Sequence, residues 1–275
     1  MRAGGTLWLC LCLVASPAWA GGAEPGDPFG DVAAAYLVKV DGRVVWSRNA
    51  GRPLPFASLA KMMTALLVVE RADPRSVATV SREAARETGT RLGLSPGDRL
   101  PVIELLAATL LGSANDACHA LADHVGGDER RFVALMNERA RALGLSGTNF
   151  TNACGHDDPR MRSTARDLAR LAEAAMENPV FSKMVAVPDG WIATADRRKR
   201  FPLENKNLLV GRYRGAVGVK TGFTSGAGKC LVAVARRDGR SVLLVLLNAP
   251  DRWWKAEEIL DAAFSRGPGV AAARP

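Results

Sequence analysis

KCLVAVARRDGRSVLLVLL, residues 229–247, is the stretch that decides the fold of this chain. Two apolar runs, at 229–235 and 241–247, flank a charged pentapeptide that contains Asp238-Gly239. Short runs rich in valine and separated by a turn are typical of buried β-strands. A further run, GAVGVKTG at 215–222, precedes them and is also predicted as a strand. The stretch therefore predicts a meander of antiparallel strands.

Two more strands are predicted near the N-terminus. AYLVKV at 35–40 and RVVWS at 43–47 flank Asp41-Gly42, a dipeptide that favours a tight hairpin turn. From about 73 to 178 the apolar residues recur with helical periodicity, and residues 253–264 predict a closing helix. We therefore expect an α/β fold: an antiparallel sheet flanked by helices, with an inserted all-helical subdomain.

The first 20 residues are typical of a secretory signal peptide. Arg2 precedes an apolar run at 6–16, and Ala18-Trp19-Ala20 is a small-x-small cleavage site, so we expect cleavage after Ala20. A spanning helix needs about 20 apolar residues, roughly twice the length of this run. The run therefore predicts export to the periplasm or the medium, with no stable membrane anchor after cleavage.

Removal of residues 1–20 leaves 255 residues with 36 basic and 28 acidic side chains, a net charge of about +8. We expect a short linker at 21–30, one folded domain at 31–265 and a flexible tail at 266–275. The basic residues are spread along the chain without the interleaved aromatic side chains of a single-strand nucleic-acid groove. A solvated basic surface is the better interpretation, and no nucleic-acid partner is expected.

Cysteine and histidine spacing argues against a metal site. Cys118, Cys154 and Cys230 remain after signal cleavage, and neither they nor the three histidines show zinc-ribbon or His-Glu-x-x-His spacing. We expect no metal and no other cofactor. Export permits a disulfide, but with three cysteines at most one can form.

Ser58 and Lys61 are the first candidate catalytic pair. They are three residues apart in SLAK at the start of a predicted helix, 58–70, where such side chains are neighbours. A serine hydroxyl needs a base to accept its proton, and an amine can serve if its pKa is lowered. A capping serine with a surface lysine is the alternative. The apolar neighbours Met62 and Met63 argue against it, because an unpaired charge there is costly.

Two further polar groups lie at the ends of predicted elements. Ser113-Ala-Asn115 stands between two helical segments, where a helix cap is the structural alternative. Lys220-Thr-Gly222 closes a strand, and the alternative there is an ordinary strand end with a turn glycine. Each group alone is weak evidence for a catalytic site.

Together, the three groups occur once each and in the order found in penicillin-binding proteins and β-lactamases. The chain resembles the low-molecular-mass penicillin-binding proteins, the serine D-alanyl-D-alanine carboxypeptidases, over roughly residues 31–265. The resemblance implies their transpeptidase-type fold and a peptidoglycan stem-peptide substrate ending in D-Ala-D-Ala. It extends to further blocks: ASLAKMMT at 57–64, GSANDA at 112–117, LGLSGTNF at 143–150, STARDLA at 163–169 and GVKTGFT at 218–224.

The resemblance implies a role for each matching residue of the first two motifs. Ser58 is expected to attack the carbonyl between the two D-alanines, and Lys61 to take and return its proton. Ser113 is expected to relay a proton to the leaving D-alanine, and Asn115 to hold the substrate amide. β-Lactams are expected to acylate Ser58.

The third motif is expected to bind the substrate. The resemblance implies that Lys220 keeps the site cationic and lowers the pKa of Lys61, and that Thr221 contacts the terminal carboxylate. Gly222 leaves room for the substrate backbone. The backbone N–H groups of Ser58 and Phe223 are expected to form the oxyanion hole.

Several alternatives remain open. A D,D-endopeptidase of the same family would cut a cross-link instead of a terminal residue, and sequence barely separates the two. A class A β-lactamase needs a glutamate to activate the deacylating water, and NACGHDDPR at 152–160 contains none. A non-catalytic receptor for wall peptides or penicillin is less favoured, because the motif residues are intact.

Three further expectations concern the end of the chain, the carboxylate-binding arginine and the cysteines. Many relatives carry a second domain and an amphipathic membrane-binding helix, whereas this chain ends about ten residues after its closing helix, which favours a soluble enzyme. The family also uses an arginine for the terminal carboxylate, and Arg252 lies in a plausible region without a secure alignment. For the cysteines, one hypothesis pairs Cys154 with Cys230.

Overall fold

The computed structural model describes residues 27–266 of the 275. The predicted signal peptide at 1–20 lies outside the described residues, as do residues 21–26 of the predicted linker and 267–275 of the predicted tail. Between those limits the chain folds as an antiparallel sheet with helices on both faces.

The described residues contain nine strands: β1 Ala35–Val40, β2 Arg43–Arg48, β3 Val77–Thr79, β4 Arg99–Pro101, β5 Asp189–Ala193, β6 Arg200–Glu204, β7 Ala216–Thr224, β8 Gly228–Arg237 and β9 Arg240–Leu247. Five of them form the central sheet in the order β2-β1-β9-β8-β7, with antiparallel neighbours throughout. The two ends of the chain meet where β1 pairs with β9, placing Leu37 opposite Val245. The predicted hairpin, the meander and the pairing across the chain ends are confirmed.

The same residues contain eight α-helices: α1 Lys61–Arg71, α2 Arg82–Ala85, α3 Val102–Ala107, α4 Asn115–Gly126, α5 Glu129–Ala142, α6 Ala165–Glu177, α7 Pro179–Val185 and α8 Arg252–Ser265. A 3-10 turn, Ala57–Ala60, precedes α1, and a π-helical turn, Ala108–Gly112, follows α3. The predicted helix at 58–70 is therefore found with its first turn tightened. Across residues 27–266, each helix is too short or too polar to cross a bilayer.

Strict alternation along β8 gives the sheet two apolar faces. Val232 and Val234 point into the larger core, which they share with residues of α1 and α6. Leu231 and Ala233 point the other way, into a second core closed by α8. Because both faces are covered, β8 and β9 are apolar along nearly their whole length, which is why their sequence so clearly predicts buried strands.

The insert between β2 and β7 contains strands as well as helices. β3 pairs with β4, and β5 with β6, in two small antiparallel ribbons. The β3–β4 ribbon lies inside the predicted helical region at 73–178, so that region is mostly, not wholly, helical. Strands of three residues are too short to show a two-residue period, so sequence patterning misses them.

Candidate active site

Ser58 and Lys61 lie together at the start of α1. Ser58 belongs to the 3-10 turn and Lys61 is the first residue of the helix, so that Lys61 Nζ lies 3.1 Å from Ser58 Oγ. Ala57, which precedes Ser58, has a φ of 48°. A non-glycine residue adopts that conformation only at a cost, and such strain is concentrated at functional sites.

Lys61 is fully buried, and its hydrogen-bond acceptors are all uncharged. Besides Ser58 Oγ, Nζ contacts Asn115 Oδ1 at 2.7 Å and the carbonyl oxygen of Cys154 at 2.5 Å. Burial lowers the pKa of Lys61 well below its usual value and Lys220 lowers it further, while Glu87 acts in the opposite direction. A neutral amine at this distance from a hydroxyl can accept its proton.

The Ser113–Asn115 motif connects two helical elements without capping the second. The π-helical turn ends at Ser113, whose φ of 60° is left-handed, and α4 begins at Asn115 with no side-chain cap. Asn115 instead uses both ends of its amide: Oδ1 accepts from Lys61, and Nδ2 donates to the Thr88 carbonyl at 2.5 Å. The capping alternative is therefore wrong, and Asn115 is part of the Lys61 environment.

The Lys220–Gly222 motif lies on β7, which forms one edge of the central sheet. Lys220 and Thr221 are buried, whereas the Phe223 side chain is 63% exposed at the end of the motif. An edge strand offers unpaired backbone groups to an extended peptide. The motif is thus placed where a peptide could pair with β7.

Two glycines allow backbone segments to approach the amide of Ser58 closely. A Cβ on Gly222 would lie 3.2 Å from Ser58 N and 3.0 Å from Phe56 O. A Cβ on Gly155, whose φ is +89°, would lie 2.7 Å from Ser58 N and overlap the Ala57 carbonyl. Only glycine fits at this second position, because both its conformation and its space exclude a side chain.

Two further cationic side chains, Lys220 of β7 and Arg252 of α8, belong to the surroundings of Lys61. Lys220 is fully buried, and its Nζ donates to the Thr221 carbonyl at 3.1 Å. Burial lowers the pKa of Lys220 to about 7, with a further contribution from Arg252. Arg252, the first residue of α8, donates from Nη1 to Gly222 O at 2.8 Å and to Cys230 O at 3.1 Å.

The disulfide joins Cys118 to Cys154, and the hypothesis that paired Cys154 with Cys230 is wrong. Cys118 lies on α4 one turn after Asn115, while Cys154 supplies the carbonyl that contacts Lys61. Cys230 is buried in β8 with its Sγ near the carbonyls at 227 and 228, and burial raises the pKa of its thiol to about 11. The cross-link therefore connects two segments that contact Lys61.

Sequence reasoning missed two backbone contributors to this site and named a third, Arg252, without assigning it a place there. The Cys154 carbonyl and the Thr88 carbonyl are backbone groups, which carry no residue-type signal. Arg252 contacts the strand that bears Lys220, although the two are far apart in sequence. The signal for Arg252 was the family's use of an arginine for the terminal carboxylate, and its place just before the predicted closing helix does not single it out from the other arginines.

The structure brings Lys61 into direct contact with both Ser58 and Asn115 and places Lys220 close enough to affect the pKa of Lys61. Gly222 lies against the peptide that precedes Ser58, with Phe223 next to it on the exposed end of β7. Ser113 lies two residues before Asn115, in a buried left-handed position. This arrangement can deprotonate a hydroxyl, stabilise negative charge and hold an extended anionic peptide.

Comparison with known proteins agrees with this geometry. A family model described as D-alanyl-D-alanine carboxypeptidase, peptidase S11, matches residues 24–251. D-alanyl-D-alanine carboxypeptidase DacF of Bacillus subtilis is 33% identical over 241 residues, which cover 84% of this chain and 62% of that protein. A D-alanyl-D-alanine endopeptidase of Pseudomonas aeruginosa is 31% identical over 211 residues, which cover 76% of this chain and 68% of the relative.

Solved structures show the same fold. A variant of the Streptomyces K15 DD-transpeptidase superposes with a TM-score of 0.81 at 29% identity, covering 86% of this chain and 98% of that one. The central sheet and the helices on its faces are therefore those of a penicillin-binding-protein-like DD-peptidase. The family match extends over most of the chain, and on these grounds the chain belongs to the D-alanyl-D-alanine carboxypeptidase family, peptidase S11.

Proposed function

We propose that this chain is an exported serine D,D-carboxypeptidase, which removes the terminal D-alanine from peptidoglycan stem pentapeptides through an acyl-enzyme on Ser58. The observation that carries the proposal is the 3.1 Å contact between Ser58 Oγ and the buried amine of Lys61. Family membership supplies the substrate class. The catalytic unit is the domain at 31–265.

Acylation begins when Ser58 Oγ attacks the carbonyl carbon between the two D-alanines. Lys61 takes the hydroxyl proton, because burial and Lys220 favour its neutral form. The negative charge that develops on the carbonyl oxygen is held by the backbone N–H groups of Ser58 and Phe223. One such donor is worth about 3–4 kcal/mol in acyl transfer.

Collapse of the tetrahedral intermediate breaks the peptide bond and releases D-alanine. The leaving nitrogen needs a proton, which Lys61 returns through Ser113, and Asn115 orients both Lys61 and the substrate amide. The product is an ester between Ser58 and the shortened stem peptide. Water hydrolyses this ester and restores the Ser58 hydroxyl, so that one water is consumed per D-alanine released.

Substrate binding follows from β7 and its neighbours. The stem peptide extends along the free edge of β7 beside Gly222. Its terminal carboxylate is bound by Thr221 within the positive field of Lys220 and Arg252. Arg252 supports this assignment because it is fixed to the motif itself, through the Gly222 carbonyl. Phe223 supplies an exposed apolar surface at the same edge.

β-Lactams acylate the same serine, since their strained amide stands in for the D-Ala-D-Ala bond. Deacylation is slow, because the segment at 152–160 offers no glutamate to activate water. Steady-state hydrolysis of nitrocefin measures this directly. Rapid turnover would instead indicate a β-lactamase.

Intact-mass analysis after penicillin treatment tests the nucleophile. Wild type gains one penicillin mass, and Ser58→Ala gains none, because the attacking hydroxyl is absent. Thr64→Ala is the matched control: it removes another buried hydroxyl on α1, one that donates to the Ala153 carbonyl, and leaves the adduct in place. An adduct on Ser58→Ala would overturn the assignment.

A D,D-endopeptidase is the second candidate, favoured by the Pseudomonas relative of that name. A pentapeptide ending in D-Ala-D-Ala and a cross-linked dimer, supplied separately, distinguish the two activities. The proposal expects D-alanine release from the pentapeptide. Cleavage of the dimer alone would establish the endopeptidase, and penicillin acylation without cleavage of either would indicate a non-catalytic receptor.

A further inference from the structure

A buried carboxylate links two histidines behind the candidate active site. Glu87 Oε1 accepts from His119 Nδ1 at 2.7 Å, and Glu87 Oε2 accepts from His156 Nε2 at 2.8 Å. The Glu87 and His119 side chains are almost entirely buried, while His156 is about one third exposed. Both oxygens of one carboxylate are thus used to connect different parts of the chain. These three residues are called the Glu87 bridge below.

The Glu87 bridge joins the segments that contact Lys61. Glu87 directly precedes Thr88, whose carbonyl accepts from Asn115 Nδ2. His119 lies on α4 one turn after Asn115. His156 lies two residues after Cys154, whose carbonyl contacts Lys61 Nζ. Each arm of the bridge is therefore adjacent to a group that orients Lys61, either directly or through Asn115.

The segment that carries His156 is held from a second side. Glu129, the first residue of α5, accepts from the backbone N–H of Ala153 at 2.9 Å, and the Asn152 side chain accepts from the N–H groups of Gly155 and His156. These contacts fix the middle of the segment but not its relation to Thr88. Of the contacts described, only the Glu87 bridge ties the segment to the loop that follows α2.

The charges around the Glu87 bridge favour an ionised Glu87 and a protonated His119, which strengthens the hydrogen bond between them. Burial alone would raise the pKa of Glu87, but hydrogen bonds from His119 and His156 outweigh it and keep the carboxylate ionised. Burial would lower the pKa of His119, yet the Glu87 hydrogen bond, with Glu129 and Asp123 nearby, raises it above its usual value. Glu87 also raises the pKa of Lys61, opposing Lys220 from the other side.

We propose that Glu87, held by His119 and His156, is a positioning residue for proton transfer between Ser58 and Lys61. This inference rests on the proposed function. Glu87 acts through the two carbonyl-bearing segments that it joins and through its charge. It touches neither the substrate nor the reacting hydroxyl.

The test measures the rate of acylation by penicillin across the pH range, with thermal melting of each variant. Glu87→Gln removes the charge and keeps the shape, while His156→Ala keeps the charge of Glu87 and removes one hydrogen bond of the bridge. Glu83→Gln is the matched control, because it removes a carboxylate from an exposed site on α2 just four residues away. Wild type in EDTA is a fourth sample, since Glu87, His119 and Glu129 lie within 4.8 Å of one another and could hold a metal ion.

Both bridge variants are expected to acylate about 10- to 100-fold more slowly at the plateau, the cost of a misplaced catalytic group. In Glu87→Gln the acidic limb of the pH–rate profile for acylation also moves to lower pH, because loss of the anion lowers the pKa of Lys61. In His156→Ala the acidic limb stays in place because the Glu87 carboxylate is kept, and Glu83→Gln and the EDTA sample match wild type.

Rates within twofold of wild type for Glu87→Gln, or an unmoved limb, would overturn the inference. Loss of thermal stability with normal acylation of the folded protein would also overturn it, by showing a structural role alone. If Glu87→Gln does not fold, His156→Ala decides by its plateau rate. Loss of acylation in EDTA would replace the inference with a metal site. Failure of the proposed function is separate, since wild type would then either form no adduct at Ser58 or release no D-alanine from the pentapeptide.

Discussion

Removal of the Cys118–Cys154 cross-link is expected to lower the free energy of unfolding by about 4 kcal/mol. The two cysteines are 36 residues apart, and closing a loop of that length removes about 13 cal/mol/K of entropy from the unfolded chain, about 4 kcal/mol at 25 °C. For a domain of this size, that corresponds to a fall in Tm of roughly 8–16 °C. The estimate concerns the cross-link alone and not the packing of its sulfur atoms.

The assay compares equilibrium unfolding of wild type and the double variant Cys118→Ala/Cys154→Ala. Cys230→Ala is the matched control, because it removes a buried sulfur atom that belongs to no disulfide. The fall in the free energy of unfolding of Cys230→Ala measures the cost of removing one buried sulfur atom. The double variant should lose twice that cost plus the 4 kcal/mol of the cross-link.

The same double variant should also acylate more slowly with penicillin. The cross-link fixes the carbonyl of Cys154 relative to α4, and that carbonyl and Asn115 are both acceptors for Lys61. A loss of stability no greater than twice that of Cys230→Ala would refute the entropic argument. An unchanged acylation rate at a temperature where both proteins are folded would refute the positional one.

Two further predictions concern the amine and the amide at the site. Lys220→Met should raise the pKa of Lys61, because it removes a cation that lowers that pKa. The acidic limb of the pH–rate profile for acylation should therefore move to higher pH, and the rate at pH 7 should fall about 10- to 100-fold. An unmoved limb would contradict the electrostatic role of Lys220. Gly155→Ala should reduce the rate of acylation by at least about 100-fold, because the new Cβ would collide with the peptide before Ser58. Gly93→Ala is the control, since Gly93 has a similar φ of +85° but open space around it. This variant should strain the backbone and leave the acylation rate unchanged.

The sheet could be predicted from sequence because its signal is local. Val232, Val234, Leu243 and Val245 lie in apolar runs that are long enough to identify as strands, and Asp41-Gly42 marks its own turn. The order of the strands follows once the N-terminal hairpin pairs with the C-terminal meander. Because helices cover both faces of the sheet, few other arrangements are possible. The small ribbons β3–β4 and β5–β6 are stabilised by their tertiary neighbours and leave little trace in the local pattern.

The candidate side chains could be singled out from sequence as a set, but their mutual contacts could not. Ser58 and Lys61 are close because of helix geometry, which sequence spacing encodes. The approach of Asn115 to Lys61 depends on a left-handed residue at Ser113 that ends a π-helical turn, and neither feature follows from residue preference. The hypothesis that paired Cys154 with Cys230 was wrong for a related reason: the structure places Cys154 beside Cys118 of α4, and the spacing of cysteines along the chain does not encode that proximity.

The energetics of the two lysines bear on how the segments around them are cross-linked. Within residues 27–266, neither Lys61 nor Lys220 has a carboxylate as a hydrogen-bond partner, since their acceptors are carbonyl, amide and hydroxyl oxygens. A carboxylate in direct contact with Lys61 would stabilise the ammonium ion and raise its pKa, which would remove the base. The site therefore has to be held together by other means.

Those other means are bonds that fix positions without placing an opposite charge against the amine. The disulfide joins Cys154 to α4, and Glu87 joins the same segment to Thr88 while its carboxylate is bound by His119 and His156. That carboxylate acts on Lys61 without being one of its described hydrogen-bond partners, so it ties the segments together at a smaller cost to the base than a direct contact would. Lys61 and Lys220 therefore lack the stabilising salt bridges that carboxylates would provide, because such partners would raise the pKa of the amines. The disulfide and the Glu87 bridge hold the surrounding segments in place instead.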